Sequence, residues 1–495
     1  MMGNLSPSQF SLKQQIGMVL GPFLGMVVYF SPLPALNPQA HILAAILSWV
    51  VVFWITEALP LPVTSLLGAS FCVVFGLGSM KGVFASFAHP IIFLFIGSFF
   101  IAEAFVVHKV DRRFALWILA SSWAASKPTR VFFLIGTATG LMSMWISNTA
   151  AVAIMLPIAL GILSTLRVQK DSPEPYESGV MLLLAYSAAV GGVCTIIGTP
   201  PNVIGVGLLA EQAGISISFF EWMMVAAPLG GIMFVVVHGV LFWLHPVSKE
   251  ASAIKVELHN VHQTLGVWTR GQINTCVALG VAIGLWLLPG FLALVLGGGH
   301  ASVLWLNTHI PKELAAILAA GLLFLLPINL KQGEFSLSWK QASNINWGTI
   351  LLFGGGLAFG HQMVNTGLAE AIGQGMVGLF GGDSLWGLTA ISILTGLILT
   401  EMASNTAAAS MLVPVVIAIA QSSGLSPVPP TLGVCMAASL AFVLPVSTPP
   451  NAMVYGTGLV PLGNMVRAGL ILDFLGGCLI WIVLRTLCPL LGLAE

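Results

Sequence analysis

The sequence predicts an all-α polytopic membrane protein built as an inverted repeat, with about 11 transmembrane helices and two re-entrant helical hairpins. Three observations predict it. Only 7% of the residues are charged and 57% are hydrophobic, against about 25% charged in an ordinary soluble domain. Apolar runs near the roughly 20 residues that span a bilayer recur along the whole chain. Two of the longest apolar stretches carry the same polar triplet near their middle, "WISNTAAVAIMLPIA" over 145–159 and "MASNTAAASMLVPVV" over 402–416.

Single spans read at 15–31, 41–59, 63–79, 90–107, 222–244, 271–297, 313–329, 347–367 and 466–491. The first follows Lys13 and has no small-residue A-x-A site after it, so it reads as a membrane helix and not as a cleaved signal. Two more spans, 178–215 and 430–460, contain Thr-Pro-Pro-Asn. Proline donates no backbone hydrogen bond and clashes with a helix continuing through it, so both spans should break mid-membrane. The triplet-bearing segments 131–166 and 387–422 are too long for one helix across a core of ~30 Å and barely long enough for two. Each reads as a hairpin that enters, stops halfway and returns, which backbone can do at membrane depth where protein or water satisfies it. Ser, Asn and Thr are favoured N-cap residues, and the Ala-rich run after each triplet opens a new helix there.

Basic residues set the orientation. Lys127, Arg130, Arg167 and Lys170 flank the first hairpin, while no Lys or Arg falls between Lys340 and Arg467. By the bias of Lys and Arg toward cytoplasmic loops, the first hairpin enters from the cytoplasm and the second from outside. Lys13, Lys109, Arg112, Arg113, Lys249, Lys255, Arg270, Lys331, Lys340 and Arg467 all fall on the cytoplasmic side of that topology; Lys81 and Lys312 do not. The N-terminus is then inside and the C-terminus outside the plasma (inner) membrane. Hairpins of opposite entry imply an inverted repeat, and "GTPPN" at 198–202 is answered by "STPPN" at 447–451, with a weaker echo of "LFIGSFF" at 94–100 in "LFGGGLA" at 352–358.

Composition also excludes. With 17 basic and 17 acidic residues the net charge is zero, and no basic face suggests nucleic acid. The six cysteines lie singly in or at the ends of apolar runs and read as core thiols. There is no Gly-Lys pair, hence no phosphate loop for ATP, and no H-E-x-x-H. The ionisable residues in or near apolar segments, Glu57, Glu103, His361, Glu401, Asp473 and Arg485, are suspects by position. Glu401 reads as a hydrogen-bonding group within its hairpin, with proton coupling the alternative, and Glu103 and His361, which correspond between the halves, read as packing near helix ends.

What remains is four breaks in two halves, the arrangement that marks a transporter's binding site near the midplane. Half-helix N-termini suit anions, and freed carbonyls with Ser, Thr and Asn oxygens suit a hard cation such as Na+. No Lys or Arg lies at the breaks, so co-bound cations would have to neutralise an anion. A channel would use the same polar groups, but broken helices meeting from opposite faces suit alternating access better.

Duplicated Ser-Asn-Thr and duplicated Thr-Pro-Pro-Asn, with "TEMASNTA" at 400–407 and "AFVLPVSTPPNA" at 441–452, resemble the divalent anion:sodium symporter family over nearly the whole chain. The resemblance implies a homodimer in which an elevator-like transport domain slides against a scaffold: scaffold at 1–126 and 260–384, transport domain at 127–259 and 385–495. Segments 114–126 and 368–385 would be the lateral helices linking them. It further implies one Na+ site at Ser143, Ser147, Asn148 and Gly198 and a second at Thr400, Ala403, Asn405 and Ser447. Substrate carboxylates would meet Asn148, Thr149 and Thr199 on one side and Asn405, Thr406 and Thr448 on the other. The expected activity is Na+-coupled transport of a divalent anion, with a C4-dicarboxylate foremost and exchange, sulfate, tricarboxylate or proton-coupled transport as alternatives; Na+ is the coupling ion and no organic cofactor is implied.

Overall fold

The computed structural model describes residues 11–119, 127–166, 175–246, 266–380 and 384–494. These are almost entirely helical. Eight helices among them are long and apolar enough to cross a membrane. They differ sharply in what surrounds them. Every residue from Tyr176 to Val193 is buried, whereas only 11% of the apolar window of Arg270–Leu296 is enclosed by protein. The first is a central helix and the second faces lipid, which is why the first can end in a break and the second runs unbroken for 27 residues.

Both hairpins form as expected. The first pairs Pro128–Ser143 with Asn148–Leu166, and the second pairs Leu385–Met402 with Asn405–Ser422. Both Thr-Pro-Pro-Asn spans are broken: Pro175–Val193 stops before Pro200–Ala213, and Val428–Ser439 stops before Pro449–Tyr455. In each, the two prolines take the first helical positions, where a missing N–H leaves nothing unsatisfied. The upstream halves of both broken spans are buried from Tyr176 to Val193 and from Val428 to Ser439, so the hairpins and the outer helices wrap them. The first hairpin reaches the central helix at very short range: a Cβ on Gly191 would lie 2.0 Å from the carbonyl oxygen of Gly140.

Several expectations need correction. The span read at 313–329 is the helix Lys312–Leu325, which meets an unread helix before it, Ala301–His309, at a bend of 67° beside Pro311. Its last residues form no helix. Pro327–Asn329 pairs with Glu334–Phe335 in a short antiparallel hairpin, since Pro327 cannot continue the ladder of helix bonds. Of the cysteines, Cys72, Cys194, Cys435 and Cys488 are buried, but Cys478 is exposed and Cys276 half-buried, on faces turned away from the core. Of the two segments read as lateral helices, one is the helix Leu368–Phe380, and the other begins in Val110–Leu119 and continues outside the described residues.

Candidate functional site

The site is assembled from helix ends. At the first tip, Ser147 Oγ accepts the N–H of Ala150 at 3.3 Å, and at the second, Ser404 Oγ accepts the N–H of Ala407 at 3.3 Å. Each serine is therefore an N-cap, as the triplets suggested. With the third amide of each helix capped, those of the first two positions, Asn148 and Thr149 in one hairpin and Asn405 and Thr406 in the other, are left by helix geometry to a ligand. Thr448 caps the second broken span through Asn451 N–H, while Thr199 makes no side-chain cap bond.

Behind each tip lies a matched pair of oxygens. Ser143 Oγ donates to Asn148 Oδ1 at 2.6 Å, and Thr400 Oγ1 lies 2.8 Å from Asn405 Oδ1 and 2.7 Å from the carbonyl oxygen of Ala438. Ser143 and Thr400 are fully buried. Glycine makes the first cluster possible. A Cβ on Gly192 would lie 2.5 Å from Asn148 Oδ1, and one on Gly198 would lie 2.5 Å from the carbonyl oxygen of Gly192.

The breaks are tied open by their own motif. Asn202 Nδ2 donates to the carbonyls of Gly192, Val193 and Thr195, and Asn451 Nδ2 donates to those of Ala441 and Leu444. These asparagines stand at the third helical position and reach back over the break, as a capping-box side chain does. Sequence reasoning quoted them inside Thr-Pro-Pro-Asn and assigned them nothing; the signal was their fixed place after the prolines. The Oδ1 of Asn202 is buried without a hydrogen-bond partner, an acceptor left over beside the first oxygen cluster.

The ties between tip and break differ in the two halves. In the first, Thr195 Oγ1 donates to the carbonyl of Met144 at 2.6 Å. In the second, the Glu401 carboxylate accepts the N–H groups of Val443 and Leu444, each at 3.0 Å, and the Ser447 hydroxyl. Glu401 thus acts across to the broken span and not within its own hairpin. Tyr186, fully buried on the first broken span, donates to the carbonyl of Phe442 at 2.7 Å and joins the two breaks to each other.

One cavity of about 810 Å³ meets all four breaks. Ser147, Asn148, Thr149, Gly198, Thr199, Asn405, Thr406, Ser447 and Thr448 line it; Ser143, Thr400 and Ala403 lie buried behind its wall. Among the described residues its lining holds no Lys, Arg or His, and its one charged side chain is acidic, Glu103. Glu103 is therefore a wall residue and not helix-end packing.

Residues 12–493 match the family described as the sodium:sulfate symporter transmembrane region. The chain belongs to the divalent anion:sodium symporter family. Similar members include an uncharacterized transporter of Haemophilus influenzae, 34% identical over 91% of this chain and 93% of the relative. Others are sodium-dependent dicarboxylate transporters, SdcS, of Staphylococcus saprophyticus and Staphylococcus aureus, each 32% identical over 97% of this chain and 92% of the relative. In fold the chain is similar to two solved structures. The YdaH transporter of Alcanivorax borkumensis has a TM-score of 0.56 over 86% of this chain and 90% of that one, at 15% identity. Neisseria gonorrhoeae MtrF has a TM-score of 0.55 over 97% and 95%, at 13% identity. Family and relatives make this chain a membrane transporter and not an enzyme.

Proposed function

We propose that the protein moves a divalent anion, a C4-dicarboxylate such as succinate, malate or fumarate, together with Na+ into the cell. The observation that carries this reading is a cavity of helix N-termini whose lining has no cationic side chain. Each helix N-terminus presents about half a positive charge. The tips Asn148–Leu166 and Asn405–Ser422 and the span Pro200–Ala213 face the cavity with their N-terminal residues, enough to attract two carboxylates but short of neutralising them. Na+ at the two oxygen clusters supplies the rest. Ser143, Ser147, Asn148 and Gly198 would hold one ion and Thr400, Ala403, Asn405 and Ser447 the other. Asn148, Thr149, Thr199, Asn405, Thr406 and Thr448 would meet the carboxylates between them. Hard oxygen donors suit Na+, and the two asparagines belong to both sets, so ion and anion support each other's binding. The names of the staphylococcal relatives favour dicarboxylate over sulfate.

The movement we infer is an elevator: residues 127–259 and 385–495 slide as a transport domain against a scaffold of 1–126 and 260–384, in a homodimer with a cytoplasmic N-terminus and an external C-terminus. The cavity's scaffold wall runs from Phe95 and Ser98 in mid-helix to Leu61, Pro62, Glu103 and Asn346, the last four at positions that the basic-residue bias puts on the cytoplasmic side. This arrangement is therefore the inward-open one. The test is uptake of radiolabelled succinate into proteoliposomes, with sulfate, citrate and aspartate as competitors. Saturable uptake steeply dependent on Na+ and blocked by succinate supports the reading. Uptake unchanged when choline replaces Na+ overturns symport in favour of exchange, and competition by sulfate alone overturns the substrate.

A further inference from the structure

Glu211 lies near the far end of Pro200–Ala213, the helix that begins at the substrate cavity, and it takes no part in the site. Its two carboxylate oxygens meet two imidazoles. Oε2 is 3.3 Å from His89 Nε2 and Oε1 is 3.2 Å from His361 Nδ1. The histidines come from the repeat-related scaffold helices: His89 caps Pro90–Val107, and His361 sits in Trp347–Asn365. His89 Nδ1 accepts the N–H of Ile91 at 3.3 Å, which leaves the ring proton on Nε2, aimed at Glu211. The contact therefore holds with neutral rings and strengthens when either gains a proton. Among the described residues no group of three such side chains has the geometry to hold a metal ion, so the triad is a contact between parts of the chain and not a metal site.

The same helices pack closely beside the triad: a Cβ on Gly207 would come 2.9 Å from Phe353 and 3.1 Å from Ile91, and one on Gly360 would come 2.2 Å from Gln212, so partner side chains fill the room that the glycines leave. Lys312, a misfit to the basic-residue bias, is used at the same end. Its Nζ donates to the carbonyl of Ile217 at 2.9 Å, just after the Glu211 helix, and pairs with Glu313 at 3.6 Å. Lys312 and Glu313 are the other charged groups acting on His89.

We propose that His89, Glu211 and His361 form a clasp between transport domain and scaffold that holds the arrangement seen here and must open in each transport cycle. The inference rests on the elevator reading, because only a moving Glu211 makes the contact a clasp. A ligand shifts a two-state equilibrium only through contacts made in one state, and the clasp is such a contact built into the chain. It sets the population from which the next cycle starts.

Two measurements on the full-length protein in proteoliposomes test it. In the first, Glu211→Cys and His361→Cys are bridged by a short bifunctional thiol reagent, with Cys276 and Cys478 replaced because they are the cysteines that are not buried. Bridging should stop succinate uptake, leave equilibrium succinate binding within about twofold, and be reversed by reductant. In the second, a spin-label pair at Val364 and Leu425 reports the spacing across the same boundary in Glu211→Ala, which removes both oxygens that meet the histidines. The ratio of this arrangement to the alternative should fall about tenfold. If bridging stops uptake but Glu211→Ala leaves the ratio within twofold, the elevator reading stands and the clasp is overturned. If the bridged protein turns over at the unbridged rate, the helices do not separate and both readings fall.

Discussion

Gly192→Ala should weaken sodium binding without unfolding the protein. The new methyl would start 2.5 Å from Asn148 Oδ1, where ordinary contact begins near 3.4 Å, so the carboxamide must retreat by about 0.9 Å. Asn148 is the end of a side chain and can swing away; the fold survives. The retreat stretches the 2.6 Å bond from Ser143 past the roughly 3.2 Å at which such bonds end, and moves an ion-facing oxygen by a comparable distance. A lost neutral hydrogen bond is worth about 1 kcal/mol, and misplacing a ligand oxygen adds a similar amount, so the half-saturating Na+ concentration should rise about five- to thirty-fold. The assay is initial succinate uptake against Na+ concentration in proteoliposomes, with thermal unfolding in detergent as a check on folding. Gly161→Ala is the control, since its methyl meets nothing within 4 Å. A half-saturating Na+ concentration within twofold of the parent, at full expression, would refute the assignment of Asn148 to an ion.

Gly191→Ala sets a methyl 2.0 Å from a backbone oxygen, which cannot swing aside; it should cost about 1–3 kcal/mol of stability, read as lower thermal stability and yield in the same control series. Tyr186→Phe removes the bond to Phe442 and leaves a buried carbonyl without a donor, a loss of about 1–3 kcal/mol visible in thermal unfolding with the succinate affinity nearly unchanged. Glu401→Gln keeps the shape but puts an NH2 against one of three donors, Val443 N, Leu444 N or Ser447 Oγ; the second break loosens, and the half-saturating Na+ concentration should rise at least about tenfold. Asn148→Ala and Asn405→Ala should each abolish uptake while the protein still elutes in size-exclusion chromatography as the parent does.

How much of this was legible in the sequence follows from how local each signal is. The hairpins and broken spans were readable because their causes lie within a few residues: a serine that caps the third amide after it, and prolines that end one helix and start another. Repetition added what a single copy lacked. One Ser-Asn-Thr in a membrane helix is ordinary interhelical bonding, but two copies, each followed by Thr-Pro-Pro-Asn, place four helix ends at one depth, and one cavity meets them. Pro311 marks the bend after Ala301–His309 locally, yet the span was read only from 313, because a nine-residue helix is too short to read as a membrane span.

Glu211, Glu401, Thr195 and Tyr186 were illegible for a different reason. Their partners stand tens to hundreds of residues away, at His361, Leu444, Met144 and Phe442, and no spacing rule connects them. Yet these are the residues through which the halves are joined. The local motifs are nearly symmetric between the halves, while the ties behind them are not: a threonine hydroxyl serves the first tip and a carboxylate the second. A half-buried carboxylate beside one oxygen cluster and not the other makes the second site the stronger attractor for a cation. If both clusters bind Na+, the one near Ser447 should therefore fill first, and Glu401→Gln should erase the difference between two Na+ affinities that Gly192→Ala would widen.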